Sequence, residues 1–183
     1  SYAIPLLGAH QLRNAATVLE AIEVLRRQGW EIDHDAVESG LYSVAWPARF
    51  EVLHADEPWF VLDGGHNPQC AAALRECTEH YFPDCERVAL AGVLKDKDYR
   101  SIVKTLAPLF SSVVCVTPDS ERALPAEELA GLFAAAGCET ETAGSIEDGV
   151  ELAQDKAREK GAMVCAFGSL YICGDIRACF GLR

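Results

Sequence analysis

The sequence predicts an α/β fold, a doubly wound three-layer sandwich around a mostly parallel six-stranded sheet with one antiparallel strand. Two observations predict this fold class. Short apolar segments alternate with helical segments from Phe50 onward, which is typical of a parallel sheet covered on both faces. The first two apolar segments are separated only by a turn at 56–58, so they form a hairpin that supplies the antiparallel strand.

The beginning of the chain carries helical patterns only. One helix is predicted over 10–28 and a second over 33–42, before Trp46-Pro47 interrupts the helical pattern. We therefore divide the chain into a helical segment, 1–45, and an α/β domain, 46–183.

Strands and helices alternate through the α/β domain in a Rossmann-like order. Strands are predicted over 50–54, 59–62, 87–93, 112–117, 138–142 and 161–167. Helices are predicted over 68–81, 98–109, 125–136 and 145–159, and a last one starts near 168–169. Sheets of this kind bind ligands at the carboxyl ends of their strands, so polar residues that directly follow a strand are candidates for a site.

The charge of the chain argues against several kinds of partner. It has 16 basic and 28 acidic residues, a net charge of −12, and no cluster of Lys and Arg that could contact nucleic-acid phosphates or an anionic membrane. No apolar stretch is long enough to span a bilayer, and the first residues lack a signal-peptide pattern. We therefore expect a soluble, cytoplasmic protein that binds neither nucleic acid nor membranes.

The eight cysteines predict neither disulfides nor a metal site. They form no Cys-x-x-Cys pair, and several lie in apolar segments, so we interpret most of them as small buried side chains in a reducing cytoplasm. No His or Cys pair has the spacing of metal ligands. The chain also has no Gly-Lys dipeptide, hence no P-loop for nucleotide phosphates.

The strongest candidate site is the segment DGGHNP at 63–68, which directly follows the predicted strand 59–62. Its two glycines allow a sharp turn and the close approach of a ligand. Asp63 can accept hydrogen bonds from ribose hydroxyls, and His66 and Asn67 can reach a polar ligand. The alternative is a helix-entry turn in which Asp63 is only a cap, a role that does not need this combination of residues.

Two further polar segments follow predicted strands. The segment KDKD at 95–98 comes after the strand 87–93, and its alternative interpretation is a solvated charged loop. The Gly-Ser pair at 168–169 comes after the last strand and opens a helix, whose free amides and hydroxyl suit a carboxylate or a phosphate.

Three other polar residues have a structural and a functional interpretation. Arg49 is either a packing residue with a buried stem or a ligand of phosphate groups. His10 and Asn14 lie one helical turn apart on a shared face, which by itself favours a partly buried pair over a binding site.

Six segments occur together in this chain. They are GAHQLRNAA at 8–16, WPARFE at 46–51, DGGHNP at 63–68, KDKD at 95–98, RALP at 122–125 and GSLY at 168–171. In this order they resemble the C-terminal portion of folylpolyglutamate synthase/dihydrofolate synthase enzymes, which belong to the Mur ligase family. Gly65 replaces the alanine of the DGAHNP pattern of that family, a change that we expect to be harmless.

The resemblance implies that 1–45 are a hinge segment from the end of a central ATPase domain and that 46–183 form a Mur-ligase-type C-terminal domain. Family enzymes carry a P-loop ATPase domain upstream, which also holds the ligands of Mg²⁺. They join L-glutamate to folate or to dihydropteroate, using ATP to convert the acceptor carboxylate into an acyl phosphate. Without that upstream domain, the chain is expected to be inactive.

The resemblance also implies roles for individual side chains. The residues implied to bind ATP are Asn14 at the adenine, Arg49 at the phosphates and Asp63 at the ribose. The residues implied to bind glutamate are His66 and Ser169. The catalytic candidates, which would stabilise negative charge near the acyl phosphate, are Lys95 and Lys97.

Two other functions remain open from the sequence. One is a Mur-type ligase that adds an amino acid to a peptidoglycan precursor, although the segment WPARF together with the Asp-Lys-Asp of 96–98 favours the folate branch. The other is a stand-alone Rossmann-type nucleotide-binding module, which would bind its ligand tightly as an isolated chain, whereas part of a ligase would bind it weakly.

Overall fold

The chain divides into two compact units, Ser1–Pro47 and Ala48–Arg183. The computed structural model describes residues 1–54 and 56–182. The interpretation of 1–45 as the end of an upstream domain stays a prediction.

The first unit contains the helices α1 (Ala9–Arg27) and α2 (His34–Tyr42). The Asp33 carboxylate caps α2, because it accepts a hydrogen bond from the Ala36 amide at 2.6 Å. Within residues 1–54 and 56–182, no helix is both long enough and apolar enough to cross a membrane.

Little of the first unit is buried. Its buried side chains are Gln11, Val37 and Leu41. Its exposed large apolar side chains are Tyr2, Leu12, Val18, Val24, Leu25, Trp30, Tyr42 and Trp46. Many exposed apolar side chains on a small unit are typical of a surface that another part of a protein covers.

The second unit is built on one six-stranded sheet. Its strands are β1 (Glu51–His54), β2 (Phe60–Asp63), β3 (Glu86–Ala91), β4 (Ser112–Cys115), β5 (Glu139–Thr142) and β6 (Ala162–Phe167). They lie in the order β1-β2-β6-β3-β4-β5, with β1 antiparallel to β2 and all other neighbours parallel. This topology confirms the predicted fold class.

Helices cover both faces of the sheet. They are α3 (Pro68–Tyr81), α4 (Tyr99–Leu106), α5 (Ala126–Ala135), α6 (Ile146–Lys160) and α7 (Leu170–Cys179). On one face, Leu62 and Leu90 pack in a cluster with Ile172 of α7 and with α6. On the other face, Phe133 of α5 contacts the ring of Phe167 at 6.5 Å between centroids.

Several element ends differ from the prediction, and the strand predicted over 112–117 ends at Cys115. The helix predicted over 98–109 ends at Leu106 and continues as a 3₁₀ turn, Ala107–Leu109, because Pro108 has no amide hydrogen for the next α-helical bond. The strand predicted over 87–93 ends at Ala91. Val93 is only 1% exposed although it lies beyond the hydrogen-bonded strand. The apolar pattern follows burial, and it therefore overestimates the length of the strand.

The cysteines lie where the apolar pattern predicts. No disulfide links them, and those that are buried are Cys77, Cys115, Cys138, Cys165 and Cys173. Burial raises the pKa of Cys115 to about 12. Burial, with a smaller contribution from the Asp63 carboxylate, raises the pKa of Cys77 to about 11. These thiols therefore stay protonated and unreactive at neutral pH.

Candidate functional site

The carboxyl ends of three neighbouring strands meet at one edge of the sheet. Asp63 at the end of β2 pairs with Phe167 at the end of β6, which also pairs with Ala91 at the end of β3. Because β1 runs antiparallel to β2, with Glu51 opposite Leu62, the residues before β1 reach the same edge. We call this edge the carboxyl edge. Its segments are 48–50, 64–67, 92–98 and 168–169.

Arg49 lies in a tight turn at the carboxyl edge. The residues on either side of it, Ala48 and Phe50, have φ angles of 55° and 46°, in the left-handed region that residues with a Cβ rarely adopt. The Ala48 carbonyl accepts a hydrogen bond from the Gly64 amide at 2.8 Å. The turn therefore holds Arg49 beside the first glycine of the segment 63–68.

Asp63 joins two turns through its carboxylate. One oxygen accepts a hydrogen bond from the Phe50 amide at 2.9 Å, and the other accepts one from the Gly65 amide at 2.7 Å. The residue is only 8% exposed. A carboxylate oxygen can accept more than one hydrogen bond, so supporting these turns does not by itself exclude a ligand contact at Asp63.

The two glycines after Asp63 fit where larger residues would not. A Cβ on Gly64 would lie 2.4 Å from the Leu170 side chain and 3.4 Å from the Arg49 guanidinium. A Cβ on Gly65 would lie 2.7 Å from that of Cys70, so in this chain glycine suits the position where the family pattern has alanine.

His66 and Asn67 complete the turn into α3. The Nδ1 atom of half-buried His66 lies 3.2 Å from the Gly64 carbonyl oxygen. Asn67 caps α3, because its side-chain oxygen accepts a hydrogen bond from the Cys70 amide at 2.8 Å. Asn67 is therefore a helix cap, whereas the outer edge of the His66 ring remains a candidate contact for a polar ligand.

Ser169 is buried at the start of α7. It is 2% exposed, and its hydroxyl accepts a hydrogen bond from the Tyr171 amide at 3.2 Å. The hydroxyl hydrogen remains available as a donor. Gly168, with φ of 118°, brings this helix start against the Gly92 carbonyl, from which a Cβ would be only 2.6 Å away.

The two candidate lysines differ in their surroundings. Lys95 is exposed, and its ammonium group donates to the Glu121 carbonyl oxygen at 2.9 Å. Lys97 is half-buried, and its ammonium group lies 4.0 Å from the Asp96 carboxylate. Asp98, the last residue of this segment, caps α4 by accepting from the Ser101 amide at 3.2 Å.

A polar network that the sequence interpretation missed connects these loops. Arg122 pairs with Asp96 at 2.9 Å and donates to the Tyr171 hydroxyl at 3.2 Å. These two contacts raise the pKa of the guanidinium, the Tyr171 hydrogen bond contributing most. Arg122 and Tyr171 belong to the recognised segments RALP and GSLY, which could have indicated their importance, although nothing in the sequence indicates that they meet.

Asn14 lies in the first unit, on α1. Its side-chain amide donates a hydrogen bond to the Gln11 side-chain oxygen at 2.9 Å, and Gln11 is buried. The second unit therefore brings together Arg49, Asp63, His66, Lys95, Lys97 and Ser169 around one edge of its sheet, while Asn14 belongs to a separate unit.

We also searched the described residues for a metal site and for a cleft. Among residues 1–54 and 56–182, no group of three or more His, Cys, Asp or Glu side chains could hold a metal ion. A cleft of about 430 Å³ lies at the opposite edge of the sheet, lined by Trp59, Phe82 and Met163 among others. It contains no predicted site residue.

Residues 48–170 match the model of the family described as "Mur ligase, glutamate ligase domain". The match covers more than half of the chain and contains every segment of the carboxyl edge. The chain therefore belongs to the Mur ligase family.

Comparison with individual relatives indicates which branch of the family the chain resembles. The "Dihydrofolate synthase/folylpolyglutamate synthase" of Mycobacterium tuberculosis is 34% identical over 197 residues, which cover 97% of this chain and 40% of that protein. A Haloferax volcanii protein named "Probable bifunctional folylpolyglutamate synthase/dihydropteroate synthase" is 36% identical over 176 residues, which cover 95% of this chain and 20% of that protein.

Solved structures agree with these relatives. A crystal structure of Mycobacterium tuberculosis folylpolyglutamate synthase complexed with ADP and AMPPCP superposes with a TM-score of 0.90 at 31% identity, covering 100% of this chain and 43% of that one. The resemblance to folylpolyglutamate synthase/dihydrofolate synthase enzymes is thus confirmed. The chain spans between 20% and 43% of the length of these three proteins.

Proposed function

We propose that this chain is the C-terminal part of an ATP-dependent ligase that adds L-glutamate to folate or to dihydropteroate. The observation that carries the proposal is the turn at Arg49, which lies against the segment 63–66 at the carboxyl edge. A guanidinium beside a glycine turn can bind phosphate oxygens with two donors while the backbone leaves room for the ligand. The relatives named for folylpolyglutamate synthesis support the choice of substrates.

The proposed reaction has two steps. An oxygen of the acceptor carboxylate attacks the γ-phosphorus of ATP, and the bond to the β-phosphate oxygen breaks, which releases ADP. The amine of L-glutamate then attacks the carbonyl carbon of the acyl phosphate. The bond from that carbon to the phosphate oxygen breaks, phosphate leaves, and the nitrogen loses a proton to form the amide.

Three residues are the proposed nucleotide contacts. Arg49 binds the phosphates, Asp63 accepts hydrogen bonds from the ribose hydroxyls, and Asn14 contacts the adenine. Asp63 lies at the end of β2 on the carboxyl edge, and its two backbone hydrogen bonds also give it a structural role. The chain has a net charge of −12, so cations placed at the carboxyl edge matter for attracting an anionic nucleotide.

His66 and Ser169 are the proposed glutamate contacts. Both precede or open helices at the carboxyl edge, where amides and side-chain donors can meet a carboxylate. Lys95 or Lys97 would stabilise the negative charge that develops as the acyl phosphate forms and breaks. Lys97 is half-buried beside Asp96, whereas Lys95 is exposed and held by the Glu121 carbonyl.

The remaining machinery is proposed to lie in an upstream P-loop ATPase domain. By resemblance to the family, the ligands of Mg²⁺ are proposed to lie in that domain, where the ion would neutralise phosphate charge. The exposed apolar side chains of the first unit, such as Leu12 and Trp30, are suited to packing against it.

A coupled assay on the full-length enzyme tests the proposal. We expect ATP-dependent release of ADP only when glutamate and either dihydropteroate or tetrahydrofolate are both present. The ratio of the rates with dihydropteroate and with tetrahydrofolate distinguishes dihydrofolate synthesis from polyglutamate synthesis. Ligation to a peptidoglycan precursor, with no activity toward either pterin acceptor, would contradict the proposal.

A further inference from the structure

Glu51, at the start of β1, contacts two parts of the second unit. One carboxylate oxygen accepts a hydrogen bond from the Ala48 amide at 2.7 Å. The other forms an ion pair with the Arg177 guanidinium, near the end of α7. The side chains of Glu51 and Arg177 are only 23% and 13% exposed, so both contacts are largely shielded from water.

The Ala48 contact matters because of the turn that it holds. Ala48 and Phe50 both have left-handed backbone conformations, which persist in a non-glycine residue only when the surrounding contacts enforce them. Asp63 holds the Phe50 amide, and Glu51 holds the Ala48 amide. Arg49 therefore lies between two anchored residues, and each anchor is a carboxylate.

We propose that Glu51 is a positioning residue for Arg49 and that Arg177 holds Glu51 in place. This inference rests on the proposed function, in which Arg49 binds the phosphates of ATP. Arg177 also balances the charge of Glu51, so that a carboxylate can support the turn without repelling an anionic nucleotide. Leu170, at the start of α7, lies near Gly64, and Arg177, near the end of α7, pairs with Glu51. Both ends of α7 therefore support the carboxyl edge.

The first test compares Michaelis constants for ATP and for glutamate in the full-length enzyme. Glu51→Ala removes the acceptor of the Ala48 amide, so we expect the ATP constant to rise on the order of tenfold and the glutamate constant to change less than about twofold. Glu51→Gln keeps a neutral acceptor for that amide and should recover most of the ATP affinity. Glu79→Ala is the matched control, because it removes an exposed ion pair with Arg75.

A double-mutant cycle identifies the path of the effect. If Glu51 acts through Arg49, Glu51→Ala causes no further rise in the ATP constant when Arg49→Ala is already present. Should Glu51→Ala fail to fold in thermal denaturation, Arg177→Gln replaces it in the same cycle. Arg177→Gln leaves the hydrogen bond between Glu51 and the Ala48 amide in place but removes the guanidinium that orients the Glu51 carboxylate. We therefore expect a smaller rise in the ATP constant than with Glu51→Ala.

The outcomes separate the two proposals. If Arg49→Ala raises the ATP constant while the Glu51 and Arg177 variants leave it unchanged, or if the effects are additive, the positioning role is overturned and the proposed function stands. If Arg49→Ala itself leaves the ATP constant unchanged, the assigned role of Arg49 is overturned together with the positioning role.

Discussion

At the scale of single residues, Asp63 has a structural role and a proposed binding role. Its carboxylate holds the amides of Phe50 and Gly65, so it stabilises the turns on either side of the site. Its proposed binding role is to accept hydrogen bonds from the ribose hydroxyls of ATP. The two roles predict different consequences of losing Asp63. A lost turn lowers the stability of the fold, whereas a lost ribose contact weakens the binding of ATP.

We expect Asp63→Ala in the full-length enzyme to weaken the use of ATP more than the use of glutamate. Losing a charged acceptor should cost about 1.5–3 kcal/mol, which corresponds to a rise of roughly tenfold or more in the ATP Michaelis constant. Steady-state kinetics with each substrate varied separately measures this. The control is Asp155→Ala, which removes an exposed partner of Arg158 on α6. A lower melting temperature with an unchanged ATP constant would mean that Asp63 only supports the turns.

His66→Ala and Ser169→Ala should both raise the Michaelis constant for glutamate several-fold and change that for ATP little. Ser169 also caps α7, so its loss should lower stability by about 1 kcal/mol. Ser145→Ala removes an equivalent cap from α6, and His80→Ala removes an exposed histidine from α3, so these variants are matched controls. Equal changes for both substrates, or loss of stability alone, would disprove the glutamate contacts.

At the scale of elements, the edge strand β5 is protected by charge. Its residues are mostly exposed and alternate Glu and Thr, which discourages pairing with another chain. Lys156 of α6 is 8% exposed and pairs with Glu139 at 3.1 Å and Glu141 at 2.5 Å. Hydrogen bonding to Glu141 raises the pKa of Lys156, and hydrogen bonds to Lys160 and Lys156 lower the pKa of Glu139.

The shifted pKa values predict how Lys156→Met responds to pH. The raised pKa of Lys156 means stabilisation below about 10.5, lost as the pH rises through the higher value in the folded protein. The lowered pKa of Glu139 means stabilisation above about 4.5, lost as the pH falls through the lower folded value. Lys156→Met should therefore lower the melting temperature most between these limits.

Thermal denaturation from pH 3 to pH 11 measures this effect. The difference between Lys156→Met and the unchanged chain should shrink toward both ends of that range. Exposed Lys104, on α4, is the control, and Lys104→Met should have little effect at any pH. A difference that is independent of pH would show that Lys156 stabilises the chain by packing alone.

At the scale of the whole molecule, the second unit contains most of the proposed site, and the first unit exposes apolar surface. Since the chain has no P-loop, we expect purified 1–183 to fold and yet to hydrolyse no ATP. The measurement is phosphate release with ATP, glutamate and folate, against a heat-denatured control. Release well above that control would contradict the need for an upstream domain.

The fold class, the order of strands and helices, and the candidate segments that follow strands, 63–68, 95–98 and 168–169, could be predicted from the sequence, whereas the place of 48–50 at the carboxyl edge could not. Alternating apolar segments predict a parallel sheet, and the chemistry of such sheets places ligands after the strands. The ends of elements were less certain, because buried residues such as Val93 and Val116 extend beyond the strands. The strand β5 is polar and mostly exposed, so an apolar pattern gives little indication of it.

How the site residues are held depends on contacts between residues that are far apart in the sequence. The left-handed turn around Arg49 depends on Asp63 and Glu51, and Glu51 depends on Arg177, which lies 126 positions away in the chain. Likewise, Arg122 meets Asp96 and Tyr171 across two loops and a helix start. Periodicity and motifs describe neighbours in sequence, whereas these contacts arise from the pairing of strands and the packing of α7. The physical reason is that side-chain hydrogen bonds form between whichever groups the folded backbone brings within about 3 Å of each other.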